Sequence, residues 1–397
     1  MICTEKTRVR STFRCAATFC ALILSGLAFA TAATTQEQKP QPVPASKGWI
    51  NWPTYRFNSA HVASLNFNPP YIPEGKRKWV FPAEGGIDSS PIVYNGLIFV
   101  GCDDYHVYAV DERNGNLVWR SKLGARVTST CAVDGNQLIV GCEDHNVYAL
   151  DIATGKQNWK FEAAGRISGS PCVIAGIAYV GGWDATVYAI DTKTGELRWK
   201  FTAGDPSARI TSSPAYDNGT LFVTSHDGFC YALNPQDGSI KWKYKTGNKI
   251  FSSPMVMNNI VYFGSWDHTF YAVDATTGKT VWTYKGAENF SISPAGLGEK
   301  VFVGNDDLKL YCLNAATGKL LWKQAIGSPV PLLSSPPIVG GGNLYMGSSD
   351  GNVYALDTRN GAIKWKYKTQ RPIVSSAAFG SSGICIGSQD GNLYYLY

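Results

Sequence analysis

Arg126, Arg166, Arg209 and Lys249 occupy one column of an internal repeat, spaced 40, 43 and 40 residues apart. The full column, taken five residues before the proline position of each repeat, reads Gly86, Arg126, Arg166, Arg209, Lys249, Asn289, Pro331, Pro372. A second column reads Asp103, Glu143, Trp183, His226, Trp266, Asp306, Ser349, Gln389. Three consecutive repeats therefore combine Arg166, Arg209 and Lys249 with Trp183, His226 and Trp266. Guanidinium and ammonium groups attract carboxylates and phosphates, and aromatic faces add flat contact area, so such a sector suits an anionic ligand or an acidic partner segment. Long basic side chains also solvate a rim while tryptophans cover neighbouring loops. The residue types leave both readings open.

A third column is acidic: Asp104, Asp144, Asp184, Asp227, Asp267, Asp307, Asp350 and Asp390. Eight carboxylates in register raise the idea of a calcium ring. A residue present in every repeat serves the repeat itself, however, and an aspartate in a turn bonds its own turn amides. The expectation is a structural aspartate and no metal. The sequence holds no C-x-x-C, no Cys/His cluster and no G-x-S-x-G, so zinc and serine-hydrolase chemistry gain no support. Cys102, Cys131, Cys142, Cys172, Cys230, Cys312 and Cys385 follow the first segment. Seven is odd, so at least one is unpaired, and most stand at strand positions where other repeats carry Val, Ala, Pro or Ser, which reads as small buried hydrophobes. Cys102 and Cys142, equivalent in adjacent blades, are a pair to consider, although propeller geometry is expected to hold their backbones too far apart.

The elements that position these columns follow from a sentence, Y-A-[LVI]-[DN]-x-x-x-G-x-x-x-W, written seven times. Its tryptophans are Trp119, Trp159, Trp199, Trp242, Trp282, Trp322 and Trp365, with an eighth, Trp79, 40 residues before the first. A period near 40 belongs to repeat architectures whose unit cannot bury its apolar face alone. Within one unit, Ser89–Tyr94, Leu97–Gly101, His106–Val110 and Asn116–Arg120 are short runs rich in β-branched and aromatic residues. Asn-Gly and Asp-Asp turns punctuate them, which is the chemistry of a four-stranded meander. Four antiparallel strands make one propeller blade.

The spacing predicts an all-β, eight-bladed β-propeller. The C-terminus supplies three strands and stops before a fourth, and Lys76–Phe81 carries the outer-strand pattern with no strands before it. Pairing the two closes the ring over residues 76–397, about 40 residues per blade, and removes the open sheet edge. The repeated tryptophan is expected to wedge between blades and give its N–H to a backbone carbonyl.

Ahead of the propeller, Lys6, Arg8, Arg10 and Arg14 precede an apolar run ending in small residues, so residues 1–32 read as a signal peptide. Residues 33–47 read as a disordered linker and residues 48–75 as a pre-propeller segment. No lipobox cysteine follows, and a periplasmic or secreted, monomeric protein without a transmembrane segment is expected. Cleavage after Ala32 removes a net +3 of the formal +6, a balance that gives nucleic-acid binding no support.

The stretch Ala149-Leu150-Asp151-Ile152-Ala153-Thr154-Gly155-Lys156-Gln157-Asn158-Trp159 resembles the tryptophan-docking motif of the pyrroloquinoline-quinone (PQQ) repeat superfamily. Six further copies do so as well, and Asn51-Trp52-Pro53-Thr54-Tyr55-Arg56 is similar to the segment preceding many such propellers. Trp183-Asp184 and Trp266-Asp267 spell the WD40 dipeptide, but in two blades only and never at the periodic tryptophan. The resemblance implies one of two functions. The first is a PQQ- and calcium-dependent dehydrogenase with an aspartate base. The second is a non-catalytic binding scaffold of the outer-membrane-assembly type, which needs no cofactor and takes a protein partner in the envelope. Nearly uniform blade lengths and the lack of an adjacent Cys-Cys pair favour the second.

Overall fold

The computed structural model describes residues 51–65, 69, 71–327 and 335–397; the expected signal peptide and linker, and with them the lipobox argument, lie outside these residues. The described strands form eight four-stranded antiparallel sheets. In the first blade the order from the axis outward is Ile92–Tyr94, Leu97–Gly101, His106–Asp111 and Leu117–Lys122. The eighth blade is built from both ends of the chain, with Arg77–Pro82 as the outer strand beside Asn392–Leu396. The closing strand is thus one residue later than the sequence pattern gave. Trp79 pairs with Tyr395, Val80 with Tyr394 and Phe81 with Leu393.

Apolar cores lie between the facing sides of neighbouring blades. One cluster joins Phe99, Ala109 and Trp119 of the first blade to Leu138, Val140 and Tyr148 of the second. Each outer strand slips register just before its tryptophan, as between Ala109 and Val110 opposite Leu117 and Trp119. Such a bulge re-aims the next side chain. It turns the indole toward the following blade, where Nε1 donates to a carbonyl: Trp119 to Ile152 at 3.0 Å, Trp242 to Ala275 at 3.0 Å, Trp282 to Ala315 at 2.8 Å. The ring then covers a glycine with positive φ. A Cβ on Gly115 would sit 2.7 Å from the Trp79 ring, so the glycine is required both by the turn and by the close approach.

The interrupted turn of the eighth blade is rebuilt from the chain ends. Trp365 donates to the Pro73 carbonyl at 2.7 Å, and Gly75, at φ 80°, takes the place of the docking glycine against its ring. Backbone bonds from Glu74 and Lys76 to the Tyr397 carbonyl, at 3.0 and 3.1 Å, stitch the gap.

The pre-propeller segment has a position that its sequence did not disclose. It crosses the end of the central channel at which the first and second strands of each blade turn. There it exchanges one backbone hydrogen bond after another with the innermost strands: Trp52 with Val93, Pro53 with Val133, Ser59 with Tyr216, Ala60 with Val256, Val62 with Gly296, and Ala63 with Val339. Six of eight blades thereby hold one plug, and a channel open at both ends is not what this chain builds. Following so tight a curve places Arg56, Phe57, His61 and Ala63 at positive φ, a strain that persists only where the surroundings enforce it.

Candidate functional site

The site lies at the opposite, unplugged end, where two loops of each blade meet. One enters the innermost strand and carries the cation column; the other joins the second and third strands and carries the aromatic and acidic column. A backbone bond locks the two columns together in successive blades, from Glu143 N–H to Arg126 O (3.1 Å), Trp183 to Arg166 (3.0 Å), His226 to Arg209 (3.0 Å) and Trp266 to Lys249 (2.9 Å). Side chains of the first column lean over the second column of the preceding blade.

That lean sorts the four cations. Arg126 reaches Asp103 at 3.2 Å and Arg166 reaches Glu143 at 3.6 Å, so both are matched by acids. Arg209 lies over the Trp183 ring with its guanidinium carbon 4.1 Å from the centroid, and Arg166 flanks the same ring at 5.2 Å. Arg209 and Lys249 have no carboxylate within ion-pair distance among the described residues. The uncompensated positive charge therefore centres on the fourth and fifth blades. In the seventh blade the Gly347 amide falls on Ser335 at 2.6 Å, as Gly101 falls on Ser89 in the first. The repeat register there is consequently one residue later than the Ser334-Ser335-Pro336 spelling suggests. Pro331 drops out of the cation column, and it lies outside the described residues.

The aromatic residues are fixed from below. Trp183 Nε1 donates to Ser168 Oγ at 2.8 Å and Trp266 Nε1 to Ser291 Oγ at 2.9 Å, while His226 Nε2 sits 2.9 Å from Thr211 Oγ1. Phe251, which the column reading passed over, fills the same loop position as those hydroxyl residues. It stacks on Trp266 with centroids 4.3 Å apart and a 22° interplanar angle, and on His226 at 4.0 Å. His226, Phe251 and Trp266 form one continuous platform, and Trp266 remains 37% exposed. Phe251 is the aromatic departure from a column that otherwise carries hydroxyls at Thr128, Ser168, Thr211 and Ser291, with Asp88 and Val374 as its other exceptions, and it was readable in the sequence.

Burial, followed by the charges of Lys249 and Arg209, lowers the His226 imidazole from 6.5 to about 4. A folded value below the unfolded one means that the unfolded chain binds more protons between those limits. Stability from this group is present above the unfolded value and is lost as pH falls through the window. NMR titration of the ring is expected to give a midpoint near 4 that rises in Arg209→Gln; a wild-type midpoint at the ordinary value would mean the ring is not packed on Phe251.

The aspartate column serves its turns. Asp144 accepts the Asn146 amide at 3.0 Å, the Tyr148 hydroxyl at 2.6 Å and the Gly124 amide at 3.0 Å. Among the described residues no three His, Cys, Asp or Glu side chains converge as metal ligands. All seven cysteines among the described residues are buried and free, and burial pushes the Cys102 and Cys142 thiols up to about 12, which makes them inert.

Below the platform the channel narrows to a cavity of about 200 Å³. Asp88, Thr128, Ser168, Thr211 and Phe251 contribute to its upper wall. Ser90, Thr130, Ser170, Ser213 and Ser253 lie one layer deeper, and Tyr55 of the plug forms its floor.

Residues 83–287, just over half of the chain, match the sequence family described as the β-propeller of beta-alanine-activating enzyme. The chain belongs to that β-propeller family. Residues 287–396 match the family described as outer membrane protein assembly factor BamB, so this member of the PQQ-repeat propellers lies on the assembly-factor side of the superfamily. No curated protein matches its sequence. Among solved structures, BamB from Moraxella catarrhalis is similar at TM-score 0.71 and 19% identity, over 81% of this chain and 99% of that one. The computationally designed Ika8 protein is similar at 0.70 and 18%, over 83% and 100%. Quinohemoprotein alcohol dehydrogenase from Comamonas testosteroni is similar at 0.72 and 16%, over 87% of this chain and 80% of that one. At these identities the structural likenesses establish the fold that this propeller family member shares with both functional branches.

Proposed function

We propose that this propeller is a non-catalytic binding scaffold of the cell envelope that takes an acidic segment of a protein partner on the channel-mouth sector of its third to fifth blades. The observation that carries the reading is the platform of His226, Phe251 and Trp266 beside Arg209 and Lys249. Rigid aromatic surface next to uncompensated cations is how interfaces anchor an acidic partner at low entropic cost. The match of residues 287–396 to the BamB family and the signal-like first 32 residues support an envelope location. The alternative, a quinone dehydrogenase, asks for room and ligands at the same mouth. A cavity of about 200 Å³ is below the roughly 300–1,000 Å³ usual for cofactor sites, and no calcium-ligand set converges among the described residues. The residues present do not fit that group, and no chemical step is drawn through it.

Photo-cross-linkers placed in cells at Lys249, at the mouth, and at Lys279, at the far end, test the reading. Cross-links to envelope proteins are expected from the first position. With Arg166→Glu and Arg209→Glu together, their yield is expected to fall about tenfold or more, the effect of losing two interfacial charges. Equal yields from both ends, or an undiminished yield from the double variant, would defeat the proposal. Calcium-dependent binding of PQQ by the purified protein would favour the dehydrogenase instead.

A further inference from the structure

The channel cavity carries an imbalance of hydrogen-bonding groups that the mouth sector does not explain. Ser90, Thr130, Ser170, Ser213, Ser253 and Ser293 are all buried. Each hydroxyl oxygen accepts the amide of the preceding blade, at distances from 2.9 to 3.2 Å. A hydroxyl has one proton to donate, and none of the six finds a protein acceptor for it among the described residues. The ring is broken at the seventh blade, where Pro336 offers neither N–H nor hydroxyl. Six O–H donors are left around one small space.

Two further groups, one behind the cavity floor and one in its upper wall, have polar atoms without partners among the described residues. Arg56 is 1% exposed and gives Nη2 to the Pro337 carbonyl at 3.3 Å, but its Nε and Nη1 have no hydrogen-bond partner among the described residues. Its guanidinium lies 5.9 Å from the ring of Tyr55, the cavity floor, and no carboxylate pairs with it among the described residues. Burial lowers it to about 10, so it stays charged at neutral pH. The neighbouring His61, held to the Pro254 carbonyl at 3.0 Å and kept neutral by burial, supplies no counter-charge. An interior cation without a counterion is costly. In the upper wall, Oδ1 of Asp88 is a buried acceptor that also has no partner.

We propose that the channel cavity binds a small protonated oxyanion, of which hydrogen phosphate is the type. The hydroxyl ring donates to its oxygens, the Arg56 cation behind the floor offsets part of its charge, and Asp88 Oδ1 accepts a hydrogen bond from its P–O–H group. This site goes beyond the partner-binding reading and does not depend on it. A fully deprotonated oxyanion such as sulfate carries the same charge and satisfies the ring but has no O–H to give Asp88, which makes proton-bearing anions the preferred class.

The test is a titration of the full chain at neutral pH with inorganic phosphate and, separately, with sulfate, by calorimetry and thermal unfolding. Saturable phosphate binding is expected, with sulfate weaker by about tenfold or more, a difference of about one buried hydrogen bond to a charged group. Asp88→Asn can turn its amide donor inward and is expected to abolish that preference. Ser213→Ala with Ser253→Ala is expected to weaken phosphate about tenfold or more through loss of two donors; should this pair fail to fold, the Asp88→Asn comparison decides. No heat and no change in unfolding temperature at tens of millimolar phosphate, the behaviour of a merely water-filled channel, would overturn the proposal. So would equal phosphate and sulfate binding in wild type and Asp88→Asn alike, which is the signature of surface ion binding.

Discussion

Deleting Arg77–Pro82 is expected to abolish the single cooperative unfolding transition and to yield aggregating material. The strand supplies the fourth member of the eighth blade and buries Trp79 and Phe81 to 9% and 7% exposure. Losing a buried Trp and a buried Phe costs about 3–5 kcal/mol each, a sum comparable with the roughly 5–15 kcal/mol that holds a typical domain together. The deletion also removes the indole whose N–H reaches the Glu112 carbonyl at 3.0 Å, so the eighth blade no longer docks on the first. Asn392–Leu396 then becomes an open edge ready to pair with another molecule. Denaturant unfolding and size-exclusion chromatography read both consequences. A soluble deletion product with an unchanged transition would show that the ring does not need to close. Addition of a peptide spanning residues 77–83 is expected to restore solubility, since it supplies the missing strand while Pro73 and Gly75, the dock for Trp365, remain in the chain.

Glu112→Ala is expected to be the most damaging substitution of a polar side chain at the closure, costing about 3 kcal/mol because several buried polar groups lose a charged partner at once. The side chain is 2% exposed and spans the seam from the first blade to the eighth. Oε1 accepts the Tyr395 hydroxyl at 2.8 Å and the Ser381 amide, and Oε2 accepts the Ser381 hydroxyl at 3.1 Å. Other blades place Ile152, Thr192, Pro235, Ala275, Ala315 and Thr358 at this position, where the docking indole takes the carbonyl and no carboxylate is present. Glu112→Gln keeps Oε1 and its two donors, so about 1 kcal/mol is expected, the loss of one charge-assisted bond. Equilibrium urea unfolding of the two variants separates the outcomes. Equal losses in Ala and Gln would mean that the charge and not the bonding geometry holds the seam, and no loss in either would remove Glu112 from the closure.

Phe251 and Arg56 show where reading the sequence stopped. Phe251 lies in a column of small hydroxyl residues and was visible as a departure from the repeat, yet its stacking between His226 and Trp266 requires the curvature that brings adjacent blades together. The four cations were equally visible as a column. Their division into matched Arg126 and Arg166 and unmatched Arg209 and Lys249 depends on a lean toward the preceding blade, a three-dimensional offset with no trace in residue spacing. Arg56 belongs to a segment without a repeat and without periodicity, and that segment is held in place by six different blades.

Taken by itself, the amino-acid sequence determined the eight blades, their strand order, the docking tryptophans with their glycines, and the joining of the two chain ends. Each of these rests on local turn chemistry and on apolar faces that recur every 40 or 43 residues, so each copy reports on the others. Tertiary structure alone decided that the pre-propeller segment closes one end of the channel, that Glu112 ties the seam, and that the hydroxyl residues of successive blades line one small cavity. Those features join residues far apart in the chain and occur once per ring, and a contact made only once leaves no period to read.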